Sequence, residues 1–273
     1  MDIFIDNLEN TSKKLGFPKT YQVKKDYLQE LLLTQIYSGL DKPYIVLRGG
    51  MAISKFYNSK RFTEDLDFVV ALEWFGESRQ IEGIIEDGIR NTENYCNLTY
   101  SKRIDKGVIR YIIEIEETLF QHGDDQQSIQ KIPIDFDPQH HTLLKPRLIR
   151  FIPSYKGLLS SSITVDSSLD IISDKVKSVI DRPNMRARDL YDLWIMVKKC
   201  NIEPDLSMVN KKFKLYGNSN PYGPKAYCFD SLRERIQDME KVWYNELSDL
   251  MIFVPDYDII ASDIIQIFKN LSG

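Results

Sequence analysis

Cysteine is scarce in this chain. Cys96, Cys200 and Cys228 lie far apart, and no CxxC pair or Cys/His cluster offers metal-ligand spacing, which argues against a zinc site. The count is odd and the N-terminus, MDIFIDNLENTSKKLG, is acidic and has no long apolar core. Neither a disulfide framework nor a secretory leader is expected, and a reducing, cytoplasmic location is. No stretch approaches the ~18 apolar residues of a membrane span, so no membrane partner is expected. Neither sign of charge dominates: 36 basic against 40 acidic residues leave a formal charge of −4. The field of the whole molecule therefore does not draw in nucleic acid, and any RNA contact needs a local basic patch. What is present is ordinary for a globular chain, 42% hydrophobic and 28% charged. Its 273 residues suffice for one large or two modest domains with a real core.

The informative stretch is YIVLRGGMAISKFYNSKRFTEDLDFVV, Tyr44 to Val70. Tyr44 to Leu47 is a short apolar run that predicts a buried strand. Arg48, Gly49 and Gly50 follow, then a predicted helix from Met51 to Tyr57, with Ala52, Ile53, Phe56 and Tyr57 on its apolar side. Asn58 to Thr63 is a polar, basic connection, and Glu64 to Val70 predicts a second strand. Alternate strand residues share a face, so Asp65 and Asp67 point together while Leu66 turns to the core. Two neighbouring carboxylates repel unless a cation sits between them, and Mg2+ favours one or two carboxylates plus substrate phosphates. Paired glycines at a helix start let backbone N–H groups approach an anion. A phosphate cradle beside a metal-holding pair is what phosphoryl or nucleotidyl transfer requires.

This stretch resembles the signature of the DNA polymerase beta-type nucleotidyltransferase superfamily, in which a diglycine leads to an Asp-x-Asp strand. More narrowly it is similar to the AbiEii/AbiGii toxin family, the MenT-like nucleotidyltransferases of toxin–antitoxin systems. The matching residues are Gly49-Gly50-Met51 and Arg61-Phe62-Thr63-Glu64-Asp65-Leu66-Asp67. The chain departs from the pattern at Met51, where the family carries a small hydroxyl residue, and Ser54 lies one turn on. The resemblance implies that Asp65 and Asp67 hold one or two Mg2+ ions, and that Arg48, Gly49, Gly50, Ser54 and Thr63 contribute to binding a nucleoside triphosphate.

Upstream, Met1 to Leu40 is expected to be mostly helical. A helix starting at Thr20 or Tyr21 carries Tyr27, Leu28, Leu31, Leu32, Ile36 and Tyr37 at helical spacing, and Gly39 closes it. Lys24 and Lys25 are expected on a solvated face. Downstream, Glu73 to Asn94 predicts a helix with the stripe Ile81, Ile84, Ile85 and Ile89. Strands are predicted at Cys96 to Ser101, Val108 to Ile115 and Ile129 to Phe136, with Gly107 and Gly123 in the connections. In KIPIDFD, Lys131 to Asp137, the alternation of Ile132 and Ile134 puts Asp135 and Asp137 on the other face, and Pro138 is expected to end the strand. By resemblance this is the strand that supplies a third carboxylate, Asp135, as a further metal ligand or as the base for an attacking hydroxyl. His140 and His141 are expected in a loop. Leu143 to Thr164 is expected to be irregular, with Arg147 and Arg150 available to phosphates.

The second informative block is SLDIISDKVKSVIDRPNMRARDLYDLWIMVKK. Ile171, Ile172, Val176, Val179 and Ile180 form a helical stripe, Pro183 breaks the helix, and Asp189 to Val197 restarts it with Leu190, Leu193, Trp194 and Val197 inward. The block resembles the family's second signature at Lys175, Arg182, Arg188, Asp189, Tyr191 and Asp192. Lys175 offers a point charge to phosphates, and Arg182 or Arg188 could fork onto a further oxygen. Asp189 and Asp192 would orient these cations, with Lys175 and Asp192 the members the motif marks as catalytic. Asn210 to Phe229 interleaves basic and aromatic residues in a Gly/Pro/Asn-containing loop, a mix suited to single-stranded RNA. Asp230 to Leu250 and Asp256 to Leu271 predict two further helices.

The expected fold is α/β (α+β): a nucleotidyltransferase mixed sheet with flanking helices over 1–164, then a helical C-terminal domain over 165–273 that closes the nucleotide cleft. The expected activity is Mg2+-dependent nucleotide transfer to an RNA acceptor. By resemblance that acceptor is the tRNA 3′ end, translation is arrested, and a cognate antitoxin exists. Two alternatives stand beside it: transfer to a small molecule or a protein side chain, and an inactive nucleotide- or antitoxin-binding module.

Overall fold

The structure, a computed structural model, describes residues 8–38, 44–116, 129–216 and 229–272. The N-terminal helices are α1 (Leu8–Leu15) and α2 (Thr20–Ile36). The periodic residues Tyr27, Leu28, Leu31, Leu32 and Ile36, with Tyr37 just beyond the helix, are all buried. So are Asp26, Gln29 and Glu30, which makes α2 a helix enclosed on more than its apolar stripe. Its polar groups are met from elsewhere, as buried polar groups must be. Tyr155 donates to Asp26 at 2.9 Å, and the Ser154 N–H donates to Glu30 at 2.7 Å. The Gln29 amide donates to the carbonyls of Thr63 and Glu64 at 3.1 and 2.7 Å. Gly39 lies outside the described residues.

The expected strand–helix–strand stretch becomes β1 (Ile45–Arg48), α3 (Gly49–Phe56) and β2 (Leu66–Val70). The helix starts at Gly49, two residues ahead of its expected start, and the strand starts at Leu66, so Asp65 immediately precedes it. A single 3-10 turn (Leu72–Trp74) replaces the first turns of the helix expected from Glu73. Gly76, at φ +105, separates that turn from α4 (Ser78–Thr92). Gly88 has no side chain to hold α4 away from α2: a Cβ there would lie 2.6 Å from the Ile36 backbone. β3 (Leu98–Asp105) and β4 (Val108–Glu116) form a hairpin turned by Lys106 and Gly107, both at positive φ.

β5 (Ile129–His141) runs past Pro138, where the strand was expected to end. The pairing with β2 explains how. Val69 faces Asp137 but Val70 faces His141, so Pro138 to His140 form an irregularity in which proline owes the ladder no amide. His140 and His141 therefore belong to the strand and not to a loop. The connection expected to be irregular holds β6 (Arg147–Phe151) and β7 (Ser161–Val165), an antiparallel pair. β6 is an edge strand, exposed along most of its length, so it carries no apolar alternation to read. Arg147 and Arg150 stand exposed on it. The seven strands join in the order β3-β4-β5-β2-β1-β7-β6, with β5–β2 and β1–β7 parallel and the other pairs antiparallel.

The remainder is helical: α5 (Ser168–Asp181), α6 (Ala187–Trp194) with a π-helical turn (Ile195–Lys199), α7 (Leu206–Tyr216), α8 (Phe229–Asp238), α9 (Glu240–Ser248) and α10 (Tyr257–Ser272). Ser167 caps α5 by accepting from the Asp170 N–H at 3.0 Å. The stripe Ile171, Ile172, Val176, Val179 and Ile180 is buried as its spacing predicts. The single helix expected over Asp230 to Leu250 is two, separated at Met239. The basic–aromatic loop is corrected as well: through Tyr216 it is α7, while residues 217–228 lie outside the described residues. The chain clusters into two compact units, Met1–Ala52 with Phe62–Asp166, and Ile53–Arg61 with Ser167–Gly273. Among the described residues no helix is long and apolar enough to cross a membrane.

Candidate active site

Strand register assembles the first set of charges. Arg48 on β1 is the antiparallel partner of Asp67 on β2. Asp67 is the parallel partner of Asp135 on β5, and Asp135 is the antiparallel partner of Arg110 on β4. Paired residues face the same way, so Arg110, Asp135, Asp67 and Arg48 make one row across four neighbouring strands. All four are half-buried, whereas their chain neighbours Ile109, Tyr111, Ile134, Phe136, Leu66, Phe68 and Leu47 are buried on the opposite face. The row reads plus, minus, minus, plus.

Arg110 grips Asp135 with both arms of its fork: Nε donates to Oδ1 at 2.5 Å and Nη2 donates to Oδ2. This hydrogen bonding leads the forces that raise the Arg110 pKa, and the charges of Asp135, Asp65 and Asp67 add to it. The three acids thus act on one guanidinium. Gly49, at the turn from β1 into α3, has φ +70, and a Cβ there would collide with Oδ2 of Asp67. Glycine is required twice at this position, by its left-handed backbone and by the carboxylate against it. The approach to Asp65 is held by Gln29 through the Thr63 and Glu64 carbonyls, and by Phe62 edge-on to Phe17 at 5.3 Å. Met51, which stands where the family has a hydroxyl, is fully buried as a core side chain. Ser54 is half-buried on α3. Beyond the row, Asp137 bonds the His140 ring. Burial disfavours its charge, yet His140 and Arg48 hold its pKa below the usual carboxylate value.

Among the described residues no three His, Cys, Asp or Glu side chains are grouped to hold a metal; of the three expected acids, Asp67 and Asp135 are register neighbours and Asp65 immediately precedes β2. Asp135 gives both its oxygens to Arg110. Asp65 and Asp67, the pair expected from the sequence, match in type and number what Mg2+ takes: one or two carboxylates, with water and substrate phosphate completing its shell.

The second set lies in the helical unit. Arg61 donates to Asp192 through Nε and Nη2, both at 2.6 Å. Lys175 reaches Asp192 at 2.7 Å and Asp189 at 3.1 Å, and Arg182 reaches Asp189 at 2.7 Å. The chain Arg61–Asp192–Lys175–Asp189–Arg182 alternates in sign throughout. Asp192 is fully buried and Arg61 nearly so. Burial works against the Asp192 charge, but Arg61 and Lys175 outweigh it and keep its pKa below the usual value. Lys175, Arg182, Asp189 and Asp192 are therefore brought together in one ion-pair chain. Arg188 is half-buried and, among the described residues, joins no ion pair of this chain.

Sequence reasoning gave no role to Arg61 or Arg110. Arg61 was visible as the first residue of the Arg-Phe-Thr-Glu-Asp motif, whereas Arg110 had no signal short of strand register. Lys212, expected in an RNA-contacting loop, is fully buried on α7 and paired with Asp170 at 2.8 Å and Asp174 at 3.3 Å. Lys211 and Lys214 are the exposed lysines of that helix.

Comparison with known proteins returned three findings. A family model, described as nucleotidyl transferase AbiEii toxin, Type IV TA system, matches residues 31–266. The structure is similar to that of MenT4, a nucleotidyltransferase toxin from Mycobacterium tuberculosis H37Rv, with a TM-score of 0.65 and 14% identity, over 97% of this chain and 89% of that one. It is also similar to JHP933 from Helicobacter pylori, with a TM-score of 0.51 and 17% identity, over 93% and 92% of the two chains. These identities speak to the fold, and both likenesses run nearly the full length. No curated protein matches the sequence.

Proposed function

Because the chain belongs to the AbiEii family of nucleotidyl transferase toxins of type IV toxin–antitoxin systems, we propose that it transfers nucleotide from a nucleoside triphosphate to an RNA acceptor in a Mg2+-dependent reaction. Membership makes it a nucleotidyltransferase and implies an antitoxin partner. The proposed acceptor is the tRNA 3′ end, with arrest of translation as the consequence.

The observation that carries this reading is the register of Asp67 with Asp135, with Gly49 set against Asp67. Two acids on adjacent parallel strands repel each other and cost stability, a cost that a fold retains where charge is needed. Asp65 and Asp67 would hold Mg2+, which when bound draws charge from the phosphates and lowers the pKa of a coordinated hydroxyl. The acceptor hydroxyl attacks the α-phosphorus, a new P–O bond forms, and pyrophosphate leaves with the electrons of the broken one. Asp135 orients that hydroxyl and receives its proton. The α3 N-terminus at Gly49 and Gly50, with Arg48 beside it, presents N–H groups and positive charge to phosphate. Ser54 and Thr63 line the same stretch of chain. By the family's second signature, Lys175, held by Asp192 and Asp189, is the proposed cation for the pyrophosphate, and Arg182 and Arg188 are further proposed phosphate contacts.

Expression of the wild-type chain should slow bacterial growth and Asp67→Ala should restore it; equal growth of the two counts against a toxic enzyme. Purified protein with Mg2+, total tRNA and each labelled nucleoside triphosphate in turn should label tRNA. Label appearing only on a small molecule or on protein would move the acceptor to that class.

A further inference from the structure

Building on that reading, we infer that Arg110 is the resident counter-ion of the acid row, holds Asp135 while no divalent cation is present, and must release it when one binds.

Asp67 and Asp135 are direct neighbours across a parallel pair, so their strands lie only ~4.8 Å apart. Like charges that close destabilise a sheet unless they are neutralised. Arg48 and Arg110 flank the two acids in the same register row. Arg110 takes both oxygens of Asp135 in a bidentate fork, the geometry in which guanidinium binds carboxylate best. Its charge also senses Asp65 and Asp67, so it lies within the field a divalent cation at those acids would occupy.

Two like-signed cations beside one pair of acids oppose each other, and each weakens the other's hold. Burial decides which can leave. The Arg110 side chain is 37% exposed and that of Asp135 16% exposed, so water can take over the guanidinium on release. A pair with one exposed partner exchanges at less cost than one sealed from solvent on both sides. The fork occupies the oxygens Asp135 needs in order to accept a proton or join a metal. The row is thus closed at rest and is opened by the cation that the reaction uses.

The test uses the full-length, metal-free protein and Mn2+ alone as the probe, with free Mn2+ read by electron paramagnetic resonance. Arg110→Gln should bind Mn2+ roughly three- to tenfold more tightly than wild type, the range expected for removing one half-exposed competing charge. Arg110→Lys, which keeps the charge and loses the fork, should fall between. Circular dichroism confirms folding of each variant. Binding to Arg110→Gln that equals or falls below wild type overturns the inference. A second measurement needs no substitution: the Arg110 Nε–H resonance of wild type should move on titration with Mg2+, at the midpoint of Mg2+ binding. A resonance that stays fixed while Mg2+ binds overturns the inference alone. No Mn2+ binding by any form, or binding that Asp67→Asn leaves intact, overturns the metal site of the proposed function along with it.

Discussion

The sheet and the helical unit each hold an arginine forked onto an aspartate, and the two pairs differ in one respect above all. Arg61 and Asp192 are sealed, with side-chain exposures of 4% and 0%. In the Arg110–Asp135 pair the arginine is exposed by more than a third and the aspartate by 16%. Chemistry and geometry are nearly the same in both. Inside the helical unit the charges have no alternative partner in solvent, so the pair, with Lys175, is a fixed part of the packing. On the sheet, water and incoming ions compete for the same oxygens. Burial therefore separates a pair that positions other groups from one that can change partners.

The largest expected effect tests that separation directly. Arg61→Met leaves Asp192 buried with only Lys175 to balance it, and should cost about 3–5 kcal/mol of stability. Arg110→Met should cost less, about 1–2 kcal/mol, because solvent already shares the guanidinium, although Asp135 is left beside Asp67 without its fork. Urea denaturation of the two variants beside wild type measures both. Similar losses would mean that exposure does not distinguish the pairs. A second arm concerns activity: Arg61→Met is expected to lower transfer through Asp192 and Lys175 even where the variant is fully folded.

A smaller effect is expected at the glycine against the acid row. Gly49→Ala puts a Cβ on a backbone with φ +70, which costs roughly 1–2 kcal/mol, and drives it into the Asp67 carboxylate. Gly157 is the control: its φ is +92, and a Cβ there meets nothing within 4 Å. Both variants should lose stability, but only Gly49→Ala should lose nucleotide transfer and Mn2+ binding. Should Gly157→Ala impair transfer as much, backbone strain and not displacement of Asp67 would be the cause.

The acids and the lysine were legible in the sequence because alternation and motif spacing are local. Asp65 and Asp67 are two residues apart, and Lys175 sits on a helix whose stripe Ile171, Ile172, Val176, Val179 marks its faces. The cations that complete each set were not legible, since they arrive from distant chain segments. Arg110 meets Asp135 only through the β4–β5 register, and Arg61 meets Asp192 across 131 residues of sequence. The sheet's outer pair was missed for another reason. β6 and β7 lie in a Pro- and Ser-containing stretch, and exposed residues along β6 carry no apolar period. Lys212 was misjudged because composition cannot tell which side of a helix a lysine faces, and this one turns inward to Asp170. Pro138 misled the strand boundary because a proline inside a bulge looks, in sequence, like a proline at a strand end.

The smallest expected effect is on the pH dependence of stability, and it contrasts Asp192 with Asp137. Both have pKa values held below the usual range against the pull of burial, Asp192 by Arg61 and Lys175, Asp137 by His140 and Arg48. A carboxylate with a depressed folded pKa takes up its proton more readily in the unfolded chain. Its contribution is complete above the unfolded value of about 3.9 and is lost as pH falls through the folded value. Urea midpoints measured from about pH 5 down to about pH 2 should therefore decline, since the unfolded chain binds more protons over that span. Asp137→Asn should flatten the decline only slightly, because Asp137 is half-buried and its partners share it with solvent. Asp192 should supply the larger part. Its 13C carboxylate resonance in labelled protein should keep the ionised position to the lowest pH at which the fold persists. An Asp192 resonance that moves to the protonated position while the protein is still folded would mean that Arg61 and Lys175 do not hold it as the sealed geometry requires, and the contrast between the two forked pairs would lose its basis.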